Sequence, residues 1–447
     1  MSDAAANTQG ETLVVGLGAT GLSVARHLAG RGETFAITDT RDAPAGLARL
    51  AEIPGAEACW AGPLAALDPG LWRRVIVSPG VPVALPALQR AASGGTEIVG
   101  DIELFARAAR RPVLGITGSN GKSTVTALSG ALLEAPGRRV AVGGNFGTPA
   151  LDLLDRDADL YVLELSSFQL ETTHSLAPAS AAILNISADH LDRYEDPEAY
   201  AAAKARILKG AQRIVLNRQD PVVAGLAAGR DAVTFGLDEP AGPEDFGLLQ
   251  VGGQTWLARG TTPLFRTADL SVHGRHNWLN ALAALALCWP WLEDPARWQG
   301  ALGRFAGLAH RSRPVARHRG VDYVDDSKGT NVGATLAAIR GVAGPLILIA
   351  GGQGKGQDFA PLADALVGKA RGVVLLGADA PVIAQALNGS VPVRIVDGME
   401  EAVAGAAAWA EPGDTVLLSP ACASLDMFAS YAERGERFAA AVQGLGA

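Results

Sequence analysis

The chain has 447 residues, of which 48% are hydrophobic and 19% are charged, with a net charge of −8 and a pI of about 5.5. This composition excludes a disordered chain and is typical of a globular protein with about two to four domains. The acidic balance argues against a nucleic-acid-binding protein, which normally carries a basic surface. Cys59, Cys288 and Cys422 form neither a disulfide framework nor a zinc spacing, which favours a cytoplasmic location.

The sequence contains neither a signal-peptide pattern nor an apolar run long enough to span a membrane. Residues 1–11 lack the basic and apolar regions of a signal peptide. The longest apolar run, Ala281–Leu292, is too short to span a bilayer and contains Pro290. We therefore expect this run to form a buried helix and the protein to have no membrane partner.

Apolar strand-like segments alternate with helical segments along the chain, which predicts parallel, doubly wound α/β sheets. The first group of predicted strands comprises Leu13–Val15, Phe35–Thr38, Val75–Val77 and Glu97–Val99. The second group starts at Val113 and continues with Leu160–Leu163, Ala181–Leu184, Arg213–Leu216, Leu248–Val251 and Thr255–Ala258. The third group starts at Val321 and continues with Leu346–Ala350, Val373–Leu376, Val393–Val396 and Thr415–Leu418. The groups predict three α/β domains, at residues 1–101, 102–307 and 308–447.

The first motif, Gly16–Gly21 (GLGATG), follows a predicted strand and precedes a predicted helix at Leu22–Leu28. This G-x-G-x-x-G pattern is typical of a dinucleotide site, with Asp39 at the end of the next strand on a ribose diol. Any nucleotide diphosphate could use the same helix N-terminus, and a βα turn without a ligand would also explain the pattern. Ser78–Val81 could form a second turn that faces an anion.

The most informative motif is Gly115–Thr124 (GITGSNGKST), which lies between a predicted strand and a predicted helix at Val125–Leu133. Such a glycine-rich turn cradles phosphates with its backbone N–H groups, while Lys122 reaches the β- and γ-phosphates and Ser123 holds Mg²⁺. The usual pattern has glycine where this chain has Ile116. The motif is therefore a variant phosphate loop, and an ordinary glycine-rich turn with an exposed lysine is the alternative.

Three further polar groups in the second domain are weaker candidates. Glu164 ends an apolar strand and could help to hold Mg²⁺, or it could be a solvated acid. Asn185–Asp192 (NISADHLD) places His190 at a sheet edge, where a histidine can also be structural. Lys204 lies in a predicted helix at Pro197–Leu208, and its local sequence indicates an exposed lysine.

The third domain contains cationic and acidic residues in turns rich in small residues. Arg311 could clamp a γ-phosphate and Asp326 could accept a ribose hydroxyl, although a surface salt bridge at a domain joint explains Arg311 equally well. Gly351–Gly356 contains Lys355, and Ser419–Ser424 follows another strand. With Lys328, these turns suit an anionic substrate, or they are plain βα turns.

Together these motifs resemble the Mur ligases, the ATP-dependent amide-forming enzymes of peptidoglycan precursor synthesis. The resemblance runs nearly from end to end, through GLGATGLS, DTR, SPGV, TGSNGKST, GGNFGTP, ELSSFQLE, NISADHLDRY, YAAAKARI, GRHNWLNALAA, GLAHR, DDSKGTN, GGQGKGQDF and SPACASLDMFASYAERGERF. It implies a Rossmann-like UDP-binding domain, a central P-loop-type ATPase domain with a mostly parallel sheet, and a Rossmann-like C-terminal domain that binds the amino acid.

The DDSKGTN motif points to the family member that adds D-glutamate to UDP-N-acetylmuramoyl-L-alanine, and we expect a monomer. The resemblance implies that ATP phosphorylates the alanyl carboxylate and that the amine of D-glutamate attacks the acyl phosphate. The products are an amide, ADP and phosphate. Because several anions meet in this reaction, cations must be concentrated where they meet.

The resemblance also assigns roles to residues of this chain. The catalytic group comprises Lys122 and Arg311 on the γ-phosphate, Ser123 and Glu164 on one Mg²⁺, and His190 with a carbamylated Lys204 on a second Mg²⁺. ATP would further contact Gly118, Asn120, Gly121, Thr124, Asn277, Asn280 and Asp326. The UDP-substrate would contact Gly18, Thr20, Asp39, Thr40, Arg41, Ser78, Gly80, Asn145 and His190. D-Glutamate would contact Lys328, Thr330, Lys355, Ser424 and Tyr431.

The chain departs from the family pattern at Gly329, where alanine is usual, and at Tyr431, where phenylalanine is common. It also lacks the acidic residue that often follows the His310-Arg311 pair. Four other functions remain as alternatives. Another Mur ligase would add a different amino acid, and a folylpolyglutamate-type synthase would not need a UDP domain. An NAD-dependent oxidoreductase would leave TGSNGKST unused, and a non-catalytic UDP-glycopeptide sensor would be expected to lack the catalytic residues, which are present.

Overall fold

A computed structural model of the chain describes residues 10–56, 58–187, 189, 193–272 and 274–445. Within these residues the chain forms three separate β-sheets, one after another along the sequence. Each sheet is flanked by helices that connect its parallel strands, so the predicted α/β class with three domains is confirmed. The sheets change between Val99 and Val113 and between Arg266 and Arg313, while the limits of 101 and 307 for the domains stay predictions.

The first sheet is parallel throughout. Its strands are β1 (Gly10–Val15), β2 (Ala36–Asp39), β3 (Trp60–Pro63), β4 (Trp72–Val77) and β5 (Glu97–Val99). The helices of this part are α1 (Ala19–Gly30), α2 (Leu47–Leu50), α3 (Pro86–Ser93) and α4 (Asp101–Ala108). The spatial order β3-β2-β1-β4-β5 reverses direction between β1 and β4, where doubly wound sheets bind their ligands.

The second sheet is parallel except for an antiparallel extension at one edge. Its strands are β6 (Val113–Thr117), β7 (Val140–Gly144), β8 (Leu160–Glu164), β9 (Ser180–Ile183), β10 (Ile214–Asn217), β11 (Ala232–Phe235), β12 (Phe246–Val251), β13 (Gln254–Arg259) and β14 (Thr262–Arg266). They lie in the order β14-β13-β12-β11-β10-β9-β6-β8-β7. The helices are α5 (Lys122–Glu134), α6 (Ser167–Glu171), α7 (Pro197–Ala205), α8 (Pro221–Leu226), α9 (Arg275–Cys288) and α10 (Pro295–Arg304).

The third sheet is parallel apart from its first strand. Its strands are β15 (Arg313–His318), β16 (Val321–Asp325), β17 (Leu346–Gly351), β18 (Ala370–Leu376), β19 (Val393–Ile395) and β20 (Thr415–Leu418), in the order β15-β16-β20-β17-β18-β19. The helices are α11 (Val332–Gly341), α12 (Ala360–Leu366), α13 (Ala380–Leu387), α14 (Met399–Trp409) and α15 (Tyr431–Gly444).

The central sheet is buried on both faces, which explains why its strands are almost continuously apolar. Along β8, Tyr161 and Leu163 belong to one hydrophobic cluster, while Leu160 and Val162 belong to another. The second cluster includes the apolar half of α9, which packs against α5, and Ala281–Cys288 is completely buried. The prediction of a buried helix there is confirmed.

No helix in the described parts of the chain is long and apolar enough to cross a membrane. None of the three cysteines, which all lie in the described parts of the chain, forms a disulfide. The strands β3, β7, β11, β14 and β15 were not predicted from the sequence. Most of them lie at a sheet edge or in its antiparallel extension, where the apolar alternation is weak.

The end of β7 is packed so closely against the end of β8 that only glycine fits. Gly144 has φ +100°, and a Cβ atom there would collide with the carbonyl oxygen of Glu164. The next residue, Asn145, donates its backbone N–H to the same oxygen over 2.8 Å. The contact fixes the position of the Glu164 backbone at the carboxyl edge of the central sheet.

We predict that Gly144→Ala destabilises the protein by about 3 kcal/mol, because it adds a backbone collision to the strain of a positive φ. The matched control is Gly137→Ala, since Gly137 has φ +92° but no atom within 4 Å of the added carbon. This control should cost only about 1–2 kcal/mol of strain. Chemical unfolding followed by circular dichroism measures both, and equal losses would contradict the prediction.

Candidate active site

The phosphate loop connects β6 to α5 at the carboxyl edge of the central sheet. Gly118 and Gly121 have φ values of +152° and +84°, a region that only glycine adopts readily. A Cβ on Gly118 would also stand 3.0 Å from the Cβ of Leu184. Ile116, by contrast, is fully buried within β6. The unusual glycine spacing therefore has a physical reason, because position 116 belongs to the hydrophobic core and the turn begins two residues later.

A side chain that follows β9 holds the phosphate loop in place. The Asn185 carboxamide accepts from the Asn120 backbone N–H over 2.8 Å and donates to the Asn120 carbonyl over 3.0 Å. The backbone carbonyl of Asn185 accepts from the Ser119 backbone N–H over 2.9 Å. Asn185 stands first in the NISADHLD motif, but this role was not predicted from the sequence.

Lys122 begins α5 and folds back onto the loop. Its Nζ donates to the carbonyl oxygens of Gly118 over 2.8 Å and Ser119 over 2.9 Å. Burial lowers the pKa of Lys122, while the nearby carboxylates of Glu164 and Asp189 oppose this change. The amine therefore lies inside the loop that would surround a phosphate group.

Glu164 is 3% exposed at the end of β8, so the alternative of a solvated acid is wrong. Its Oε1 accepts from the Asn145 Nδ2 over 2.7 Å. Its Oε2 is buried and has no hydrogen-bond partner among the described atoms. A buried carboxylate oxygen without a partner is costly, and a hard cation such as Mg²⁺ would satisfy it.

Lys204 in α7 is 1% exposed, so the exposed lysine indicated by its local sequence is wrong. Its Nζ donates to the Gly118 carbonyl over 2.9 Å, the same oxygen that Lys122 contacts. It also lies 4.4 Å from the centroid of the Tyr200 ring. Burial, and then the charge of Lys122, hold the pKa of Lys204 well below its usual range.

His190 lies outside the described residues, so the structure gives it no position. Its neighbour Asp189 is described and is 8% exposed. Among the described residues, no group of three or more His, Cys, Asp or Glu side chains is arranged to hold a metal ion. The predicted Mg²⁺ ligands Ser123, Glu164 and Lys204 are nevertheless gathered around the phosphate loop, and the open oxygen of Glu164 fits a cation.

Arg311 reaches this loop from the third domain. Its NH2 group donates to the Ser123 Oγ over 2.7 Å, which joins two domains across the first turn of α5. Burial lowers the pKa of Arg311, and the carboxylates of Glu164 and Asp326 oppose this effect. Arg311 is thus part of the site rather than a surface salt-bridge partner.

Asp326 lies just after β16 and is buried. Its Oδ1 accepts from the Ser312 backbone N–H over 3.0 Å, and its Oδ2 accepts from the Ser419 Oγ over 2.7 Å. Burial raises the pKa of Asp326 to about 6. A Cβ on Gly329 would stand 2.6 Å from Asp326 Oδ2 and 2.8 Å from Ser419 Oγ. The chain therefore packs closely around this glycine.

The first turns of α9 face the phosphate loop from the other side. Asn280 Nδ2 donates to Asn277 Oδ1 over 3.3 Å. A Cβ on Gly121 would stand 2.6 Å from Asn280 Oδ1, so the two elements are in close contact. Thr124, in the first turn of α5, is buried. The structure thus brings the predicted ATP contacts of α5 and α9 together.

The predicted D-glutamate residues extend this cluster into the third domain. Lys328 Nζ lies 4.1 Å from the centroid of the Tyr431 ring. Burial lowers the pKa of Lys328 to about 8, and the charges of Arg311, Lys122 and Lys355 add to the effect. The backbone N–H of Thr330 donates to the Lys328 carbonyl over 2.8 Å. Ser424, which precedes Tyr431 by a few residues in the chain, is buried.

A buried arginine that sequence analysis did not single out supports these turns. Arg434 in α15 is 1% exposed and donates to the Ser327 Oγ, the Ser327 carbonyl and the Cys422 carbonyl, over 3.0, 2.8 and 3.1 Å. It thereby links the turns that carry Lys328 and Ser424. In the sequence, Arg434 stands out only as part of the SYAERGERF motif. That pattern does not distinguish a buried arginine from one on the exposed face of a helix.

The first domain places its predicted residues at the switch point of its sheet. Asp39 is 2% exposed, accepts from the Leu17 backbone N–H over 2.7 Å and pairs with Arg41 over 2.7 Å. The hydrogen bond with Arg41, and to a smaller extent that with Leu17, lowers the pKa of Asp39 to about 2. Ser78 Oγ donates to the Gly16 carbonyl over 3.1 Å. Exposed or half-buried positions at the same edge are Gly18, Thr20, Thr40 and Gly80.

Three family models match successive parts of the chain. The Mur ligase MurD-like N-terminal domain matches residues 10–100, the Mur ligase middle domain matches residues 116–288, and the Mur ligase glutamate ligase domain matches residues 310–422. These matches follow the order of the three sheets.

Curated relatives match over almost the whole chain. The UDP-N-acetylmuramoylalanine--D-glutamate ligase of Methylobacillus flagellatus is 52% identical over 440 residues, which cover 97% of each chain. The protein of the same name from Pseudomonas aeruginosa is 51% identical over 442 residues, covering 97% of this chain and 98% of the relative.

Solved structures share the fold at much lower identity. The UDP-N-acetylmuramate-alanine ligase MurC of Thermotoga maritima has a TM-score of 0.63 at 19% identity, and the alignment covers 98% of this chain and 100% of the other. The MurF ligase of Thermotoga maritima, solved in complex with ADP, has a TM-score of 0.62 at 18% identity over both complete chains. With three domain models in order and relatives at about half identity, the chain belongs to the Mur ligase family.

Proposed function

We propose that this Mur ligase uses ATP to join D-glutamate to UDP-N-acetylmuramoyl-L-alanine, a step of peptidoglycan precursor synthesis. The observation that carries the proposal is the gathering of Lys122, Lys204, Arg311 and Lys328, from two domains, around a phosphate loop and the open oxygen of Glu164. The names of the relatives, which are D-glutamate ligases at about 50% identity, support the choice of substrates.

In this proposal the phosphate loop binds ATP through the backbone N–H groups of Gly121–Ser123 at the N-terminus of α5, since those of Ser119 and Asn120 already donate to Asn185. The amine of Lys122, now bonded to loop carbonyls, turns outward to the γ-phosphate. Arg311 likewise exchanges Ser123 for the γ-phosphate. Both movements replace a hydrogen bond from a cation to a neutral oxygen with one to a negatively charged phosphate oxygen, which adds the attraction between opposite charges.

Mg²⁺ would be held by Ser123 and Glu164 at one site and by His190 and Lys204 at another. When bound, it would neutralise the negative charge that accumulates as the γ-phosphate meets a carboxylate. The protein's own contribution is to keep Glu164 dry and its second oxygen open, with Asn145 fixing the first oxygen. Asn145 would also face the UDP-substrate.

A carbamate on Lys204 would make that residue an oxygen ligand. Because burial and Lys122 lower its pKa, the Lys204 amine has a lone pair that can attack the carbon of CO₂. A carbon–nitrogen bond forms, one proton leaves to solvent, and a carbamate anion remains. The change also places an anionic group beside the amine of Lys122, which contacts the same Gly118 carbonyl as Lys204.

D-Glutamate would enter beside Lys328, Thr330, Lys355, Ser424 and Tyr431. The lysines suit its two carboxylates. Burial, and then the charges of Arg311, Lys122 and Lys355, lower the pKa of Lys328, and an anionic ligand would offset these effects. The unprotonated amine of D-glutamate attacks the carbonyl carbon of the phosphorylated alanine. The carbon–oxygen bond to the phosphate then breaks, phosphate leaves with the electron pair, and the nitrogen releases one proton, so that an amide bond remains. Bound side chains exclude water during this step.

The first domain would bind the UDP part of the substrate at the carboxyl edge of β1, β2 and β4. Asp39 supports this site by fixing the backbone of Leu17 and the guanidinium of Arg41. A nicotinamide cofactor has no support, because the family to which the chain belongs is a ligase family. We propose a cytoplasmic location, in keeping with cysteines that form no disulfide among the described residues, and a monomeric state.

A substrate panel tests the proposed reaction. We expect phosphate release from ATP only when UDP-N-acetylmuramoyl-L-alanine, D-glutamate and Mg²⁺ are present together, because activation and attack need all three. Removing Mg²⁺ with a chelator should abolish release. Release with L-lysine or meso-diaminopimelate in place of D-glutamate, but not with D-glutamate itself, would contradict the assignment.

The carbamate can be tested without measuring activity. Protein equilibrated with ¹³C-labelled bicarbonate should show a carbamate carbonyl signal in its ¹³C spectrum, and Lys204→Arg should lose it. The matched control is Lys209→Arg, since Lys209 is the neighbouring lysine just beyond α7 and is exposed. A wild-type spectrum without the signal, or a signal that survives in Lys204→Arg, would refute the modification.

A further inference from the structure

The N-terminus of α11 touches the phosphate loop through one buried carboxamide. Asn331 is 3% exposed and caps α11, with its Oδ1 accepting from the Ala334 backbone N–H over 2.8 Å. The same Oδ1 accepts from Asn120 Nδ2 over 3.3 Å. Its Nδ2 donates to Asn120 Oδ1 over 3.1 Å and to Asp189 Oδ2 over 3.1 Å. Every hydrogen-bonding position of this carboxamide is therefore used.

The orientation of the Asn331 carboxamide is fixed by its partners. The Ala334 backbone N–H can only donate, so the oxygen must face it, and a carboxylate such as Asp189 can only accept from the nitrogen. With both ends defined, the paired carboxamides of Asn120 and Asn331 have a single satisfied arrangement. The contact is therefore sensitive to small shifts of one domain against the other.

The loop side of this contact is rigid. The Asn120 backbone is held from both sides by the Asn185 carboxamide. A Cβ on Gly333, in the first turn of α11, would stand 3.3 Å from Asn120 Nδ2 and 3.1 Å from Ser187 Oγ. The absence of a side chain at this position lets the helix approach the loop.

Among the described residues, side-chain hydrogen bonds join the third domain to the loop at two places, Asn120 and Ser123, one on each side of Lys122. The Arg311–Ser123 contact uses groups that the proposed reaction needs for phosphate and Mg²⁺, so it must be exchanged when ATP binds. The Asn331–Asn120 contact uses none of these groups. It can persist through the reaction and keep the amino-acid pocket in register with the loop.

We infer that Asn331 is a positioning residue that clasps Asn120, with Gly333 providing the room, so that the bound amino acid rather than water reaches the activated carboxylate. This inference rests on the proposed function and adds to it. Asn120 then contributes to ATP binding by fixing the loop, since its carboxamide is occupied by Asn331. Lys328 and Thr330 lie just before Asn331 in the chain, so the clasp and the amino-acid pocket move together.

The decisive variant is Asn331→Asp. It keeps the cap on α11 and the size of the side chain. It replaces the Nδ2 of Asn331 with a carboxylate oxygen, which cannot donate to Asn120 Oδ1 or Asp189 Oδ2 and repels the carboxylate of Asp189. We expect kcat to fall about tenfold to a hundredfold, as for a small misplacement of reacting groups. We also expect the ratio of phosphate released to amide formed to rise above one, because water reaches the acyl phosphate.

Gly333→Ala tests the same clasp from the backbone. Alanine favours a helix more than glycine does, so this variant should not weaken α11 while it pushes the helix from the loop. It should also uncouple phosphate release from amide formation, whereas Gly225→Ala in α8 should not, since no atom lies within 4 Å of its added carbon. This variant decides the question if Asn331→Asp does not fold.

The outcomes separate the inference from the function on which it rests. Uncoupling in Asn331→Asp or Gly333→Ala, with the wild type and Gly225→Ala at a ratio of one, supports the clasp. Folded variants that keep the wild-type ratio, even with slower turnover, overturn the positioning role. A wild type that forms no amide from D-glutamate would instead overturn the proposed function.

Discussion

The structure depends on the crowding of like charges at the phosphate loop. Lys122 and Lys204 donate to one carbonyl oxygen, and Arg311 and Lys328 approach from the third domain. Burial and mutual repulsion lower the pKa values of the three lysines, which would be costly in a protein without ligands of opposite charge. Such an arrangement is suited to bringing phosphate and carboxylate groups together, which repel one another in water.

The architecture follows from this requirement. The parallel order of the central sheet puts the phosphate loop, Glu164 and Asn185 at one edge, because the carboxyl ends of β6, β8 and β9 lie side by side. The third domain completes the site by reaching over that edge with Arg311 and Asn331. Neither domain alone gathers the full set of cations, so the site exists only where the two meet.

Sequence patterns predicted the fold class, most strands of the sheets and the phosphate loop, since these depend on local periodicity and turn chemistry. They failed where a residue's role depends on distant packing. Lys204 looks like an exposed helix lysine, yet it is buried against a loop 86 residues away in the chain. The resemblance to a family identified it, because that comparison carries long-range information. Asn331 and Arg434 gave no local signal, since a helix cap and a helix arginine are common.

The central claim is that the loop directs the γ-phosphate of ATP to a carboxylate rather than to water. Oxygen transfer tests this most directly. If the alanyl carboxylate of UDP-N-acetylmuramoyl-L-alanine is labelled with ¹⁸O, attack of that oxygen on phosphorus carries one label into the phosphate that later leaves. We predict labelled inorganic phosphate in step with amide formation. Amide formation with unlabelled phosphate would contradict the account.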